Sequence, residues 1–225
     1  MALSIIEGQR LFHGSTELVI NPDLSYSRSE VDFGPGFYCT IYEHQAKRWA
    51  ENRMNASSAA EHFVVSEYRL DCCRNLEIVE YKEPDSAWFK AIMRGRKGFP
   101  VKADIVIGPV ADGNLYEILT ETEEKITAIQ KNLENFSSPA DYFMALRDIY
   151  QKAAEAAVPT QFKRDNQTVF VTPKGIEHLT FCRASVYDKN SKRVGVYDNA
   201  GRYYQGGTLI NELPSEGDKI DVRKH

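Results

Sequence analysis

Between Phe12 and Ala50 the chain reads Phe-His-Gly-Ser at 12–15, Asp-Phe-Gly-Pro-Gly-Phe-Tyr at 32–38 and Gln-Ala-Lys-Arg-Trp-Ala at 45–50. This order constrains the fold because it sets a His-Gly pair at a strand end, a glycine-flanked aromatic loop after it, and a second aromatic on the following helix. Glycine lets another backbone or a ligand approach closely, while His and Tyr supply a polar handle and a stacking face. Three such sides predict one flat pocket walled by aromatic rings.

The flanking pattern decides the class. Leu11-Phe12-His13 closes a short apolar strand, and Thr40-Ile41-Tyr42-Glu43 has the spacing of a capping box, which predicts a helix starting directly after Tyr38. Tyr42, Ala46, Trp49 and Ala50 then share one helical face. Segments 63–70, 76–81, 103–108 and 166–172 carry the β-branched and aromatic residues of strands, and Val194 to Tyr204 reads as a hairpin turning at Asp198-Asn199-Ala200-Gly201. Trp88, Phe89, Ile92 and Met93 repeat at helical spacing up to Gly95. Segments 120–132 and 138–157 read as two amphipathic helices, the second opened by Ser138 as cap and Pro139 at the first position. Strands and helices that mix without a β-α-β rhythm predict an α+β domain rather than a doubly wound sheet. The Gly34-x-Gly36 pair agrees, since a dinucleotide fingerprint needs a third glycine where Cys39 stands.

Size and charge narrow the partners. A chain of 225 residues with 42% hydrophobic content can bury one sizeable core. A formal net charge of -4 gives no overall attraction to nucleic acid, leaving a local basic patch at Arg94, Arg96 and Lys97 as the place where a polyanion would be guided. The start, Met1 to Glu7, has neither a basic region nor a long apolar run, and no later segment is long enough to span a bilayer, so a cytoplasmic, membrane-free protein is expected. Cys39, Cys72, Cys73 and Cys182 show no paired metal-binding spacing and read as reduced packing thiols; no metal is expected.

The order His-Gly-Ser, then Phe-Gly-x-Gly-Phe-Tyr, then an aromatic eleven residues beyond that Tyr resembles the H-Y-E branch of the ADP-ribosyltransferases, which includes the poly(ADP-ribose) polymerase catalytic domains. Residues 32–50, with the run Asp104 to Asp112, are more closely similar to a bacterial domain family of unknown function within that superfamily. The resemblance covers roughly residues 10 to 182. It implies a split β-sandwich with flanking helices, a helical insert at about 120–157, a domain over 1–182, and a C-terminal β-hairpin extension over 183–225.

The resemblance also implies roles. His13 would hydrogen-bond the adenosine ribose of NAD, Gly14 would offer its backbone to the nicotinamide carboxamide, and Tyr38 and Trp49 would take the two faces of the nicotinamide ring. Asn166-Gln167-Thr168-Val169-Phe170-Val171 matches the strand on which the family carries its third residue, a glutamate, with Gln167 in its place. Cleaving the nicotinamide–ribose bond builds positive charge on the sugar, and a carboxylate stabilises that charge better than an amide. A second departure from the resembled pattern is Ala46, where polymerase-type members often place a serine for the carboxamide; Gln45 beside it is the alternative donor. Ser15 is a minor ribose contact or a turn former, and Arg28 a pyrophosphate partner or a solvated loop residue. Asp104 and Asp112 read as structural.

The resemblance implies an NAD-dependent ADP-ribosyltransferase making single transfers of ADP-ribose to a protein or nucleic-acid acceptor, and by kinship a bacterial toxin or defence component under an antitoxin or regulatory protein. The alternatives are an NAD glycohydrolase and a non-catalytic module that binds NAD or ADP-ribose.

Overall fold

The computed structural model describes residues 7–111, 114–158 and 165–211. It is an α+β protein whose chain divides into two compact units. One is built from Leu24–Phe37 and Glu77–Thr172; the other from Tyr38–Leu76, the described residues before Leu24, and those from Pro173 onward. The chain leaves the first unit and enters the second between Phe37 and Tyr38, inside a three-residue strand, β2 (Phe37–Cys39).

The second unit is organised by a six-stranded antiparallel sheet. Strands β1 (Arg10–Ser15), β3 (His62–Leu70), β7 (Leu179–Asp188), β8 (Arg193–Tyr197), β9 (Tyr203–Gln205) and β10 (Thr208–Asn211) follow one another across it. β3 is buried at nearly every position, as a strand flanked on both edges and covered must be. Helix α1 (Glu43–Ala56) covers one face, where Ala46, Ala50 and Met54 pack on Phe12, Phe63, Val65 and Tyr187. Phe63 and Tyr187 stack there at 5.1 Å between ring centroids. The expected boundary between 182 and 183 falls inside β7, so the C-terminal strands continue the sheet. The hairpin turn at Asp198 is as expected: its carboxylate accepts from the N–H groups of Ala200 and Arg202.

The capping box is not formed. Thr40 gives its backbone to Phe12 in both directions, at 2.7 and 2.9 Å, its hydroxyl donates to Gln45 Oε1, and α1 starts only at Glu43 with Tyr42 at its N-cap. A pairing partner 28 residues away in sequence outcompetes the local cap.

The first unit holds the other sheet, ordered β2, β6 (Asn166–Phe170), β5 (Ile105–Pro109) and β4 (Ile78–Glu80). β4 and β5 run parallel and β5 and β6 antiparallel, with Gly108 opposite Gln167. Helix α2 (Ser86–Gly95) is capped by Asp85, which accepts from the Trp88 N–H, and fully buries Trp88, whose Nε1 donates to the Pro109 carbonyl. Helices α3 (Leu115–Lys131) and α4 (Pro139–Ala156) occupy the stretch where two amphipathic helices are expected. α3 starts five residues before the predicted 120, and α4 begins under the predicted Ser138 cap. A four-residue helix, α5 (Pro173–Ile176), leads back to the second unit. Asp104 is structural: its carboxylate accepts from the Thr172 hydroxyl at 2.6 Å and the Glu77 N–H at 2.9 Å, tying strand ends together. Asp112 lies outside the described residues.

Among the described residues no helix is long and apolar enough to cross a membrane. The four cysteines are free thiols, and Cys39 is buried.

Candidate functional site

His13, Gly14, Ser15, Tyr38, Gln45 and Trp49 belong to the second unit; Arg28 and Gln167 belong to the first. The centre of the second-unit group is the outer edge of β1. Residues opposite each other in the β1–β3 ladder share a face, so Leu11, His13 and Ser15 lie on one side of the sheet and Phe12 and Gly14 on the other, beneath α1. Gly14 has no room for a side chain: a Cβ there would stand 2.0 Å from the Ala46 carbonyl oxygen. The glycine therefore has a packing reason as well as any ligand-facing one.

Backbone directions follow from the same alternation. Phe12 exchanges both its hydrogen bonds with Thr40, on the side of β1 away from β3, so the N–H and C=O of Gly14 point to that same outer side. Continued pairing would bring Tyr38 against Gly14. Instead the Phe12–Thr40 bridge stands alone, and the Tyr38 carbonyl is engaged by His13 Nδ1 at 2.7 Å. The imidazole thus replaces a ladder bond, and the strands part where Gly14 faces outward.

This contact also fixes the chemistry of the ring. A carbonyl can only accept, so Nδ1 carries the proton and donates it, which makes Nε2 the acceptor nitrogen of the neutral ring. Burial pushes the His13 pKa down to about 4, with the bond to the Tyr38 carbonyl opposing the shift and the Arg53 charge adding to it. At neutral pH the ring is uncharged. Because the folded pKa lies below the unfolded value of about 6.5, the unfolded chain binds the proton more readily between those limits. The contribution of His13 is therefore full above pH 6.5 and is lost as pH falls toward 4. We expect a stability loss of about 3 kcal/mol across that window, read by urea unfolding at several pH values, and a flatter profile in His13→Gln.

The remaining side chains divide. Gln45 is fully buried and its oxygen accepts from Thr40, so it braces the turn after Tyr38. Trp49 and Tyr38 are half-buried, Trp49 one turn beyond Gln45 on α1. Ser15 accepts from the Glu17 N–H at 3.3 Å, the turn-forming role weighed from sequence. A hollow of about 520 Å³ in this unit is lined by Tyr42, His44, Lys47 and Tyr187, and neither Tyr38 nor Trp49 is in its wall.

In the first unit Arg28 is exposed on a loop. Gln167 is 1% exposed, and its amide nitrogen donates to Asp32 Oδ2 at 2.8 Å and to the Pro109 carbonyl at 3.1 Å, committing both hydrogens. Asp32 is the hub of that network: it also accepts from the Ala111 N–H at 3.1 Å and from the Arg96 guanidinium through Nε at 3.0 Å. Sequence reading gave Asp32 no role, because its partners stand 64, 79 and 135 residues away. The expected cationic patch of Arg94, Arg96 and Lys97 is corrected by the same geometry, since Arg96 is tied to Asp32 and Lys97 to Glu123.

Residues 9–181 match the model of the family described as "Protein of unknown function (DUF3990)", and the chain belongs to that family. No curated protein and no solved structure matches it.

Proposed function

We propose that this family member is an NAD-dependent ADP-ribosyltransferase on an ADP-ribosyltransferase-like fold, with the nicotinamide end of NAD docking at the outer edge of β1. The observation that carries the reading is the parted edge beside His13. Gly14 turns both an N–H and a C=O outward, the pair that a primary carboxamide complements with its own C=O and NH₂. The bond to the Tyr38 carbonyl fixes the tautomer of a neutral His13, so the other ring nitrogen has acceptor character, the character a ribose hydroxyl would meet. Tyr38 and Trp49 furnish half-buried aromatic surface in the same unit.

NAD supplies the labile bond, whose rupture releases nicotinamide and leaves an oxocarbenium-like ribose for an acceptor nucleophile. The chain's contribution is positioning: Gly14 holds the carboxamide and His13 a sugar hydroxyl, so the reacting bond is presented in one orientation. Position 167, where the resemblance expects a glutamate, carries an uncharged amide. The biological reading is a toxin or defence enzyme that modifies a protein or nucleic acid in the cytoplasm and is restrained by a partner protein.

One observation favours a second reading. Both hydrogens of the Gln167 amide are spent on Asp32 and Pro109, the behaviour of a structural bridge, which suits a module that binds NAD or ADP-ribose without turnover. Incubation with labelled NAD and cell extract separates these. Label on a macromolecule, lost in Tyr38→Ala, supports transfer; free ADP-ribose alone supports a glycohydrolase; tight binding without nicotinamide release supports the module. Absence of both binding and release removes the proposal.

A further inference from the structure

We infer that the first unit carries a single-stranded nucleic-acid binding surface, formed by the ring of Phe99 and the cations of Lys90, Arg94 and Lys102. This surface lies within that unit and does not rest on the dinucleotide reading.

Phe99 is 59% exposed, at the edge of a hollow of about 470 Å³ that Tyr81, Lys90, Arg94, Pro100 and Lys102 help to line. An exposed phenyl ring on a floppy loop means little, but this loop is built. Lys97 and Phe99 both donate their N–H groups to the Arg94 carbonyl, and Gly98 turns the chain at φ +82° while donating to the Gly95 carbonyl. The backbone that carries the ring is thus set in place before anything binds, which lowers the ordering cost of stacking on it.

The charges around it are open. Lys90 and Arg94 stand one turn apart on one face of α2, and both are exposed, as is Lys102. Among the described residues none of the three is in an ion pair, whereas neighbouring Arg96 and Lys97 are. Asp85, at the start of the same helix, is engaged as its cap at the Trp88 N–H. Lys90 rests its ammonium 4.5 Å above the Tyr150 ring, which orients it without neutralising it. The helix dipole explains a cation at Arg94, in the last turn, but not Lys102 or the exposed ring.

Three unneutralised cations on a chain of net charge -4 mark a local anion site. The aromatic ring selects among anions. Phosphates follow spaced cations while a base stacks on a ring, and a duplex hides its base faces; an acidic peptide offers nothing flat to Phe99.

The test is fluorescence anisotropy of the full chain with a short labelled single-stranded oligonucleotide, as DNA and as RNA, against its duplex and a poly-glutamate peptide. We expect binding to the single strand, preferred over duplex and peptide, with the logarithm of affinity falling against log salt at a slope of about -2 for three phosphates. Phe99→Ala should weaken it about five-fold or more, and Phe99→Trp should retain it. The combined Lys90→Glu, Arg94→Glu, Lys102→Glu variant should abolish it, with the melting temperature as the control for folding. No binding at low salt, equal binding of duplex or poly-glutamate, or indifference to both sets of substitutions in folded protein would overturn the assignment. Preference between DNA and RNA names the natural strand.

Discussion

Asp32→Ala is expected to lower the stability of the folded protein by about 3 kcal/mol or more. The carboxylate is 5% exposed and gathers donors from three parts of the first unit: the Arg96 guanidinium, the Ala111 N–H and the Gln167 amide. Removing it strands the Ala111 and Gln167 hydrogens in a site with little water, where each unsatisfied group costs about 1–3 kcal/mol. Arg96, about one-third exposed, can turn to solvent, which keeps the total below that of a fully enclosed charge left alone. Urea unfolding reads the effect as a drop in midpoint. A loss under about 1 kcal/mol would show that the network contributes little.

The second large effect comes from Gln167→Glu, the change that would place the glutamate of the H-Y-E pattern that the sequence resembles. In this chain it sets a second carboxylate where Gln167 Nε2 now stands 2.8 Å from Asp32 Oδ2. Two carboxylates sharing a buried site cannot both ionise cheaply, so one would hold its proton well above the usual range. A shift of about two units corresponds to about 3 kcal/mol at neutral pH. The sign is definite: a raised folded pKa means that the variant is hurt most above that pKa and recovers as pH falls through it. Part of the loss persists in acid, because a protonated carboxyl has one hydrogen where the amide serves both Asp32 and Pro109. Thermal melts of wild type and variant at pH 4 and pH 7 should diverge at the higher value and approach at the lower. Equal melting at pH 7 would mean that the side chain swings away from Asp32.

Much of the architecture is legible in local pattern. The apolar runs of β3 and β5, the Ser138-Pro139 start of α4 and the Asp198 turn follow from residues within a few positions of one another, and local physics decides them. Thr40 shows the limit. Its spacing to Glu43 satisfies a helix cap, yet β1 recruits its backbone and Gln45 its hydroxyl. The two-unit division, in which the chain passes from one unit to the other after Asp23, Phe37, Leu76 and Thr172, has no local signal.

The candidate site divides in the same way. His13 and Gly14 stand out by residue type and position. The partner that fixes His13 does not, because it is a main-chain carbonyl that any residue at position 38 would possess. The glycine at 14 is explained by the approach of the Ala46 carbonyl, a contact that sequence spacing does not reveal. Gln167 reads from sequence as a weakened catalytic position; its commitment to Asp32 emerges only when strands far apart in the chain meet.

The measurement closest to the central claim is an amide ¹H–¹⁵N spectrum of the protein titrated with nicotinamide and then with NAD. If the outer edge of β1 receives a carboxamide, the Gly14 N–H shifts downfield on adding either compound, and the His13 ring resonances move only with NAD. A folded protein whose Gly14 and Tyr38 signals stay fixed through saturating additions of both would contradict it.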